Sequence, residues 1–236
     1  MHYQEDTGSL LRRVGALLQS SWTGQSRGPI LARMSKPKLI YFDAPVSRGE
    51  ECRLALVVAG VDFEDVRIKR AEWAALKPTM PYESMPVYEV PGRAPLGQSN
   101  AILGLIGREH GLHPKDPYEA AQHEAMMAHV EDLRAKVGPT IHIADEAEKK
   151  AERETLLDTF LPYWGAAAEK NLGAGPFFAG PKLNVVDLKL HMAVRWFAGG
   201  KVDYIPADVF SAFPKLMRVY ESVRDDARVK AWHAKT

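Results

Sequence analysis

MPYESMPVYEVPGRAPLGQSNAILGLIG, residues 80–107, decides the fold. Met85-Pro86 stands directly before the apolar alternation Val87, Tyr88, Glu89, Val90. A proline has no N–H to give to a sheet ladder, so it belongs at a strand's first residue or on an edge. The strand predicted over 87–90 runs into a turn at Pro91-Gly92-Arg93, then a short strand over 94–96 and a helix from Ser99 to Glu109.

Upstream, PKLIYFDA (37–44) reads as an apolar strand and SRGEECRLALVVAGVDF (47–63) as a helix. Leu54, Leu56, Val57 and Val58 give that helix its apolar side, and Gly60 stands where a C-terminus favours a left-handed residue. Ser47, with Glu50 three residues on, reads as an N-cap and capping box. A further strand is predicted over Glu64–Ile68, followed by a polar stretch with Trp73 and Lys77. The order is β-α-β, then β-β-α.

Downstream the pattern changes. His110 to Pro117 is a linker by its glycine and prolines. Residues 118–137, 147–172, 185–197 and 215–226 then show helical spacing with no convincing strand between them. The chain therefore divides into an α/β domain over 36–112 and an all-helical domain over 113–236. Residues 1–35 are set apart by arginines among serines and glycines, with one amphipathic segment from Leu10 to Leu18. They read as an extension, either disordered or a cleaved organelle presequence.

Thirty-one Lys and Arg against thirty Asp and Glu leave a formal net charge of +1, so nothing electrostatic calls for nucleic acid or an anionic membrane. The single cysteine, Cys52, excludes an intrachain disulfide, a CxxC pair and a cysteine-rich zinc site. It points to a reducing, cytoplasmic setting, or an organellar one if the presequence reading holds. No apolar run approaches the roughly 20 residues that span a bilayer. His110 and His113 sit in the linker, and His123 and His129 are six apart, which makes no metal set.

A β-α-β-β-β-α domain with X-Pro opening its third strand resembles the thioredoxin fold, in which that proline is cis. A cis bond there turns the N–H and C=O of Met85 outward, where they can pair with an extended peptide. Gln98-Ser99 follows, with Ser99 at the position of an N-cap; helix N–H groups there suit an α-carboxylate.

Together these residues resemble the cytosolic glutathione transferases, and within them the sigma class, which includes glutathione-dependent prostaglandin D synthase. The resemblance covers 36 to about 235. It rests on Lys38-Leu39-Ile40-Tyr41-Phe42, Arg48-x-Glu50-x-x-Arg53, Trp73-x-x-x-Lys77, Met80-Pro81-Tyr82-x-x-Met85-Pro86 and Gln98-Ser99-x-Ala101-Ile102. In the helical half, Asn184-Val185-Val186-Asp187 resembles the family's capping box, which serves folding rather than chemistry.

The resemblance implies glutathione as co-substrate, no metal, and a homodimer. It implies that Tyr41 gives its hydroxyl hydrogen to the glutathione sulfur and so favours thiolate. Without the surrounding motifs Tyr41 would read as a buried strand tyrosine with a satisfied hydroxyl. Arg48 would lie beside the sulfur, Trp73 and Lys77 at the glycyl end, Met85 and Pro86 along the cysteinyl residue, and Gln98 and Ser99 at the γ-glutamyl carboxylate. The chain departs from sigma members by one extra residue between Tyr41 and Arg48, and by Ser84 where a lysine is common. Ser47 is a weaker alternative nucleophile partner, and Cys52 lies inside its helix, away from the start. The activity implied is conjugation of the thiolate to small, mostly apolar electrophiles held between the domains. The lining would come from the 43–47 loop and the first and last helices of the helical domain. An isomerase or peroxidase of the prostaglandin D synthase type, or a non-catalytic protein like the related lens crystallins, are the alternatives.

Overall fold

A computed structural model describes residues 36–235, so the readings made for the N-terminal extension lie outside the described residues. Four strands form one sheet in the order β2-β1-β3-β4, with β1 Lys38–Phe42, β2 Glu64–Ile68, β3 Val87–Glu89 and β4 Leu96–Gly97. β1 is parallel to β2 and antiparallel to β3, and β3 is antiparallel to β4. The last strand lies slightly later than the alternation suggested. The Met85–Pro86 peptide is cis, at the entry to β3 where the sequence places it.

Helix α1, Ser47–Val58, is buried along almost its whole length. Its Leu39-side neighbours belong to the sheet, and its other side packs against α2, Ser99–Glu109, and against the helical half. Gly60 closes it with φ +70°, the left-handed turn for which glycine carries no Cβ penalty. A series of short helical turns between Arg70 and Glu83 links β2 to β3.

The helical half holds α3 Pro117–Val137, α4 Glu146–Thr155, α5 Leu161–Asn171, α6 Val185–Ala198, α7 Pro214–Asp225 and α8 Ala227–His233. Local chemistry starts several of them. The Asp116 carboxylate accepts from the N–H groups of Tyr118 and Glu119 at 3.0 and 2.9 Å, and Asp145 accepts from Glu148 at 2.8 Å. Asn184 occupies the N-cap of α6, and its N–H donates to Asp187 Oδ2 at 2.8 Å. The other oxygen of Asp187 accepts from Phe178 N–H at 2.6 Å, which ties the preceding loop to the helix.

Two helical readings are corrected. The stretch read as one helix over 147–172 contains a π turn at Leu156–Phe160 between α4 and α5. Pro162, two residues after the turn, lacks the N–H that an uninterrupted α-helix needs. The helix read over 215–226 ends at Asp225, and Asp226 turns the chain and caps α8 by accepting from Arg228 N–H at 2.9 Å.

Candidate active site

The sheet register assembles the site. Ile40 pairs with Val87, and Val87 with Gly97. One step further toward the same end stand Tyr41, Pro86 and Gln98, in one row across three strands. Ser99 opens α2 immediately after. Beyond Pro86, the N–H and C=O of Met85 bond to no described backbone group, which leaves them available to a peptide lying alongside. Gln98 holds φ +71°, a left-handed conformation that costs a non-glycine residue about 1–3 kcal/mol and is concentrated at ligand sites. The first α2 bond runs from Ile102 N–H to Gln98 C=O, so the N–H groups of Ser99, Asn100 and Ala101 point out of the helix end without intrahelical partners.

Tyr41 is 7% exposed, and its hydroxyl bonds to no described side chain. Its ring meets Phe42 edge-on at 5.4 Å, and the Arg53 guanidinium lies 5.7 Å from the ring centre. Gly49, in the first turn of α1, lies so close that a Cβ there would fall within the ring's own volume. Burial pushes the Tyr41 hydroxyl above its ordinary value and the Glu51 carboxylate adds to this; Arg48, Arg134 and the Gly49 amide pull the other way, without reversing it. The hydroxyl is thus protonated at neutral pH and has a hydrogen to donate.

Arg53 braces this corner. It donates to the carbonyls of Phe42 and Ala44 at 3.0 Å each, to Asp65 at 2.8 Å and to Glu50 at 3.3 Å. The strand end carrying Tyr41 and the loop after it are fixed through one guanidinium. The sequence motif contained Arg53, but its role is visible only once the loop carbonyls are placed.

Two capping assignments are corrected. Ser99 is the first helical residue rather than the N-cap, which is Gln98; the residue is largely buried, but its hydroxyl oxygen, which bonds to no described residue, is not. Ser47 forms no capping box: it holds φ +54°, Val46 precedes the helix, and Glu50 turns instead to Arg53 and to the Trp232 indole N–H at 2.8 Å. His233 Nε2 approaches the same carboxylate at 3.4 Å.

The other site candidates separate. Trp73 packs edge-on to Phe42 at 5.7 Å and joins Met85, Ile40 and Val87 in a small cluster, so it borders the row. Lys77 is exposed, 4.0 Å from Glu83, and touches none of the row. Arg48 leans across to the helical half, donating through Nε and Nη2 to Glu131 Oε2 at 2.9 and 2.6 Å. Sequence reasoning missed Glu51, Glu131, Arg134 and Lys189, which form a buried ion network at this seam. Cys52 is fully buried and burial pushes its thiol well above the ordinary range, so it is inert. Two cavities of about 450 and 440 Å³ lie within the helical half, lined by residues such as Met126 and His129, or Thr140 and Tyr163, and include none of the Tyr41 row. The loop beside Tyr41 does meet the helical half, through Arg195 Nη1 donating to Pro45 C=O at 3.1 Å. Among the described residues no cluster of three His, Cys, Asp or Glu suits a metal, and no helix is long and apolar enough to cross a membrane.

Residues 37–108 match the family model "Glutathione S-transferase, N-terminal domain", and residues 131–236 match "Glutathione S-transferase, C-terminal domain". Glutathione S-transferase 1 of Ascaris suum is 31% identical over 210 residues, covering 85% of this chain and 97% of its own. Among solved structures, prostaglandin synthase D of Nilaparvata lugens superposes with a TM-score of 0.76 at 28% identity, covering 85% of this chain and 98% of its own. A monomeric glutathione S-transferase from the human hookworm parasite Necator americanus gives a TM-score of 0.72 at 27% identity, covering 85% and 97%.

Proposed function

The chain belongs to the glutathione S-transferase family, conjugating glutathione to electrophiles, and from that premise we propose how its own residues do so. The observation that carries the proposal is the row of Tyr41, Pro86 and Gln98 at one sheet end. Glutathione lies along β3 with its cysteinyl backbone on the free N–H and C=O of Met85. Its γ-glutamyl carboxylate meets Gln98, the Ser99 hydroxyl and the open N–H groups of α2. Trp73, and Lys77 by its charge, serve the glycyl end.

The sulfur then reaches the Tyr41 hydroxyl, which donates to the thiolate and lowers the thiol pKa from about 8.5 toward neutrality. Arg48 adds positive charge nearby. The thiolate attacks the electrophilic carbon, a carbon–sulfur bond forms, and the leaving group departs with the bonding electrons. With an aryl chloride the products are the thioether and chloride.

Retention on immobilised glutathione followed by turnover with a chloronitrobenzene tests this reading. Retention with Tyr41-dependent turnover supports it; retention without turnover favours a binding protein. A second reading, isomerisation by the same thiolate, is favoured by the likeness to the Nilaparvata lugens prostaglandin synthase. We further propose that the chain is of the sigma class, works in a reducing, cytoplasmic compartment and forms a homodimer; the motif spacing supports the first, the lone Cys52 the second, and family resemblance alone the third.

A further inference from the structure

We infer that Glu131, on α3 of the helical half, is a positioning residue that holds the Arg48 guanidinium at the Tyr41 cleft, so that the field on the glutathione sulfur is set across the domain seam. This rests on the reading that Arg48 favours the thiolate.

An arginine in the first turn of a helix, with its side chain 42% exposed, ordinarily samples many rotamers. Here Nε and Nη2 both donate to a single oxygen, Glu131 Oε2, at 2.9 and 2.6 Å. The opposite oxygen, Oε1, takes Lys189 Nζ at 2.5 Å and Arg134 Nη1 at 2.8 Å. Four donors on one carboxylate prevent Glu131 from following Arg48 into solvent. Arg134 and Lys189 are themselves fixed by Glu51, at 2.7 Å from Arg134 Nη2 and 2.8 Å from Lys189 Nζ. Glu51 and Lys189 side chains are fully buried and that of Arg134 is 5% exposed.

The charge arithmetic points the network toward the cleft. Arg48, Arg134 and Lys189 face Glu51 and Glu131, so one positive charge is in excess. Both carboxylates spend their oxygens inside the network, and Arg48 is its most exposed cation, with Nη1 donating to no described residue. The excess is therefore carried at the Arg48 end of the network, and the next residue, Gly49, lies against the Tyr41 ring. The groups facing Tyr41 are Glu51, Arg48 and Arg53 from α1 and Arg134 from α3; the two cations Arg48 and Arg134 favour an anion there and Glu51 opposes one.

The test reads the thiolate pKa of bound glutathione from its ultraviolet absorbance against pH, together with the pH profile of kcat/KM, in Glu131→Gln, Arg48→Gln and the double variant. Removing a negative charge near the sulfur would by itself lower the thiolate pKa. Releasing Arg48 raises it, so the two roles carry opposite signs. Positioning predicts that Glu131→Gln raises the pKa by about one unit, a roughly tenfold loss of kcat/KM below it, and that the double variant is no worse than Arg48→Gln alone. A fall or no change in Glu131→Gln overturns the inference. If Arg48→Gln itself leaves the pKa unmoved, the role given to Arg48 fails and the inference with it. Should Glu131→Gln not fold, the unaltered protein decides: the Arg48 Nε–H resonance, assigned by its loss in Arg48→Gln, must be protected from solvent exchange, and a freely exchanging signal overturns the inference.

Discussion

Replacing Gly49 by alanine should disable the enzyme from beneath its tyrosine. A Cβ at this position lies 2.6 Å from Tyr41 Cε1 and nearer still to Cγ and Cδ1. Carbon atoms rest at about 3.5–4.0 Å, so the ring or the helix must move by roughly 1 Å or more. The ring has little freedom to recede. It is buried, with Phe42 on its edge and Arg53 near its face, and Arg53 is held by Asp65, Glu50 and two carbonyls. Overpacking of this kind costs about 1–3 kcal/mol of stability. A displacement of about 1 Å at a reacting group costs about a hundredfold in rate, or about 2.7 kcal/mol of barrier. Gly49→Ala should therefore lower kcat by roughly that factor while KM for glutathione changes only a few-fold, since the clash falls on the Tyr41 ring and not on the Met85 backbone or the start of α2. Steady-state kinetics with a chloronitrobenzene and a urea melt would measure both. In a Tyr41→Phe background the hydroxyl is already gone, so the added alanine should cost stability but little further kcat. Full activity in Gly49→Ala, or additive losses of kcat in the double variant, would refute the reasoning.

Tyr41→Phe should cut turnover by about 10- to 1000-fold, roughly 1.4–4 kcal/mol, with glutathione affinity nearly kept, whereas Ser47→Ala should do far less; the reverse ranking in kinetics would sink the tyrosine assignment. Ser99→Ala should weaken glutathione binding by about 1–3 kcal/mol in calorimetry, with little loss of thermal stability because the hydroxyl caps no helix N–H. Acid should loosen the seam: burial raises Glu131, but Lys189 and Arg134 outweigh it and hold the carboxyl at about 2, so its stabilisation is complete above about 4.5 and lost as pH falls toward 2. His123 and His191, held neutral to about 4 by burial, contribute stability that is full above 6.5 and lost through 4, and urea midpoints that stay flat from pH 6.5 to 3 would contradict both. Sedimentation at micromolar concentration should show twice the 26.2 kDa chain mass, and a lone monomer would remove the homodimer proposal.

What the sequence made legible was what its own short-range chemistry controls. Pro86 marked the start of β3 and Gly60 the end of α1, and α2 runs over the residues that the apolar spacing after Gln98 indicates. Tyr41, Pro86 and Gln98 were each singled out, and the register brings them into one row. The misses share a cause. Ser47 with Glu50 has the form of a capping box, yet Glu50 is claimed by Trp232, 182 residues away. Glu51, Glu131 and Lys189 are paired across separations of 58 and 138 residues, which no local pattern encodes. One signal was present: Lys189 interrupts an otherwise apolar face of Val185, Val186, Met192 and Ala193, and a charge in such a place needs a distant partner. Helix α8 is too short for periodicity to reveal, and only the Asp226 turn announces it.

That terminal helix also bears on how the chain is made. Arg228 Nη1 donates to Val58 C=O at 3.1 Å at one end of α1, and Trp232 and His233 reach Glu50 at the other. The residues that splint the first helix thus lie 170 and 182 positions downstream of the groups they hold. During translation, domains generally fold in the order in which they emerge. Here the glutathione-binding half leaves the ribosome first, with Glu50 lacking two of its three side-chain donors and the last carbonyls of α1 lacking Arg228. Its completion must wait for α8. A nascent chain that has emerged only as far as Asp226 therefore holds α1 half-braced, and the splint comes with a single short helix.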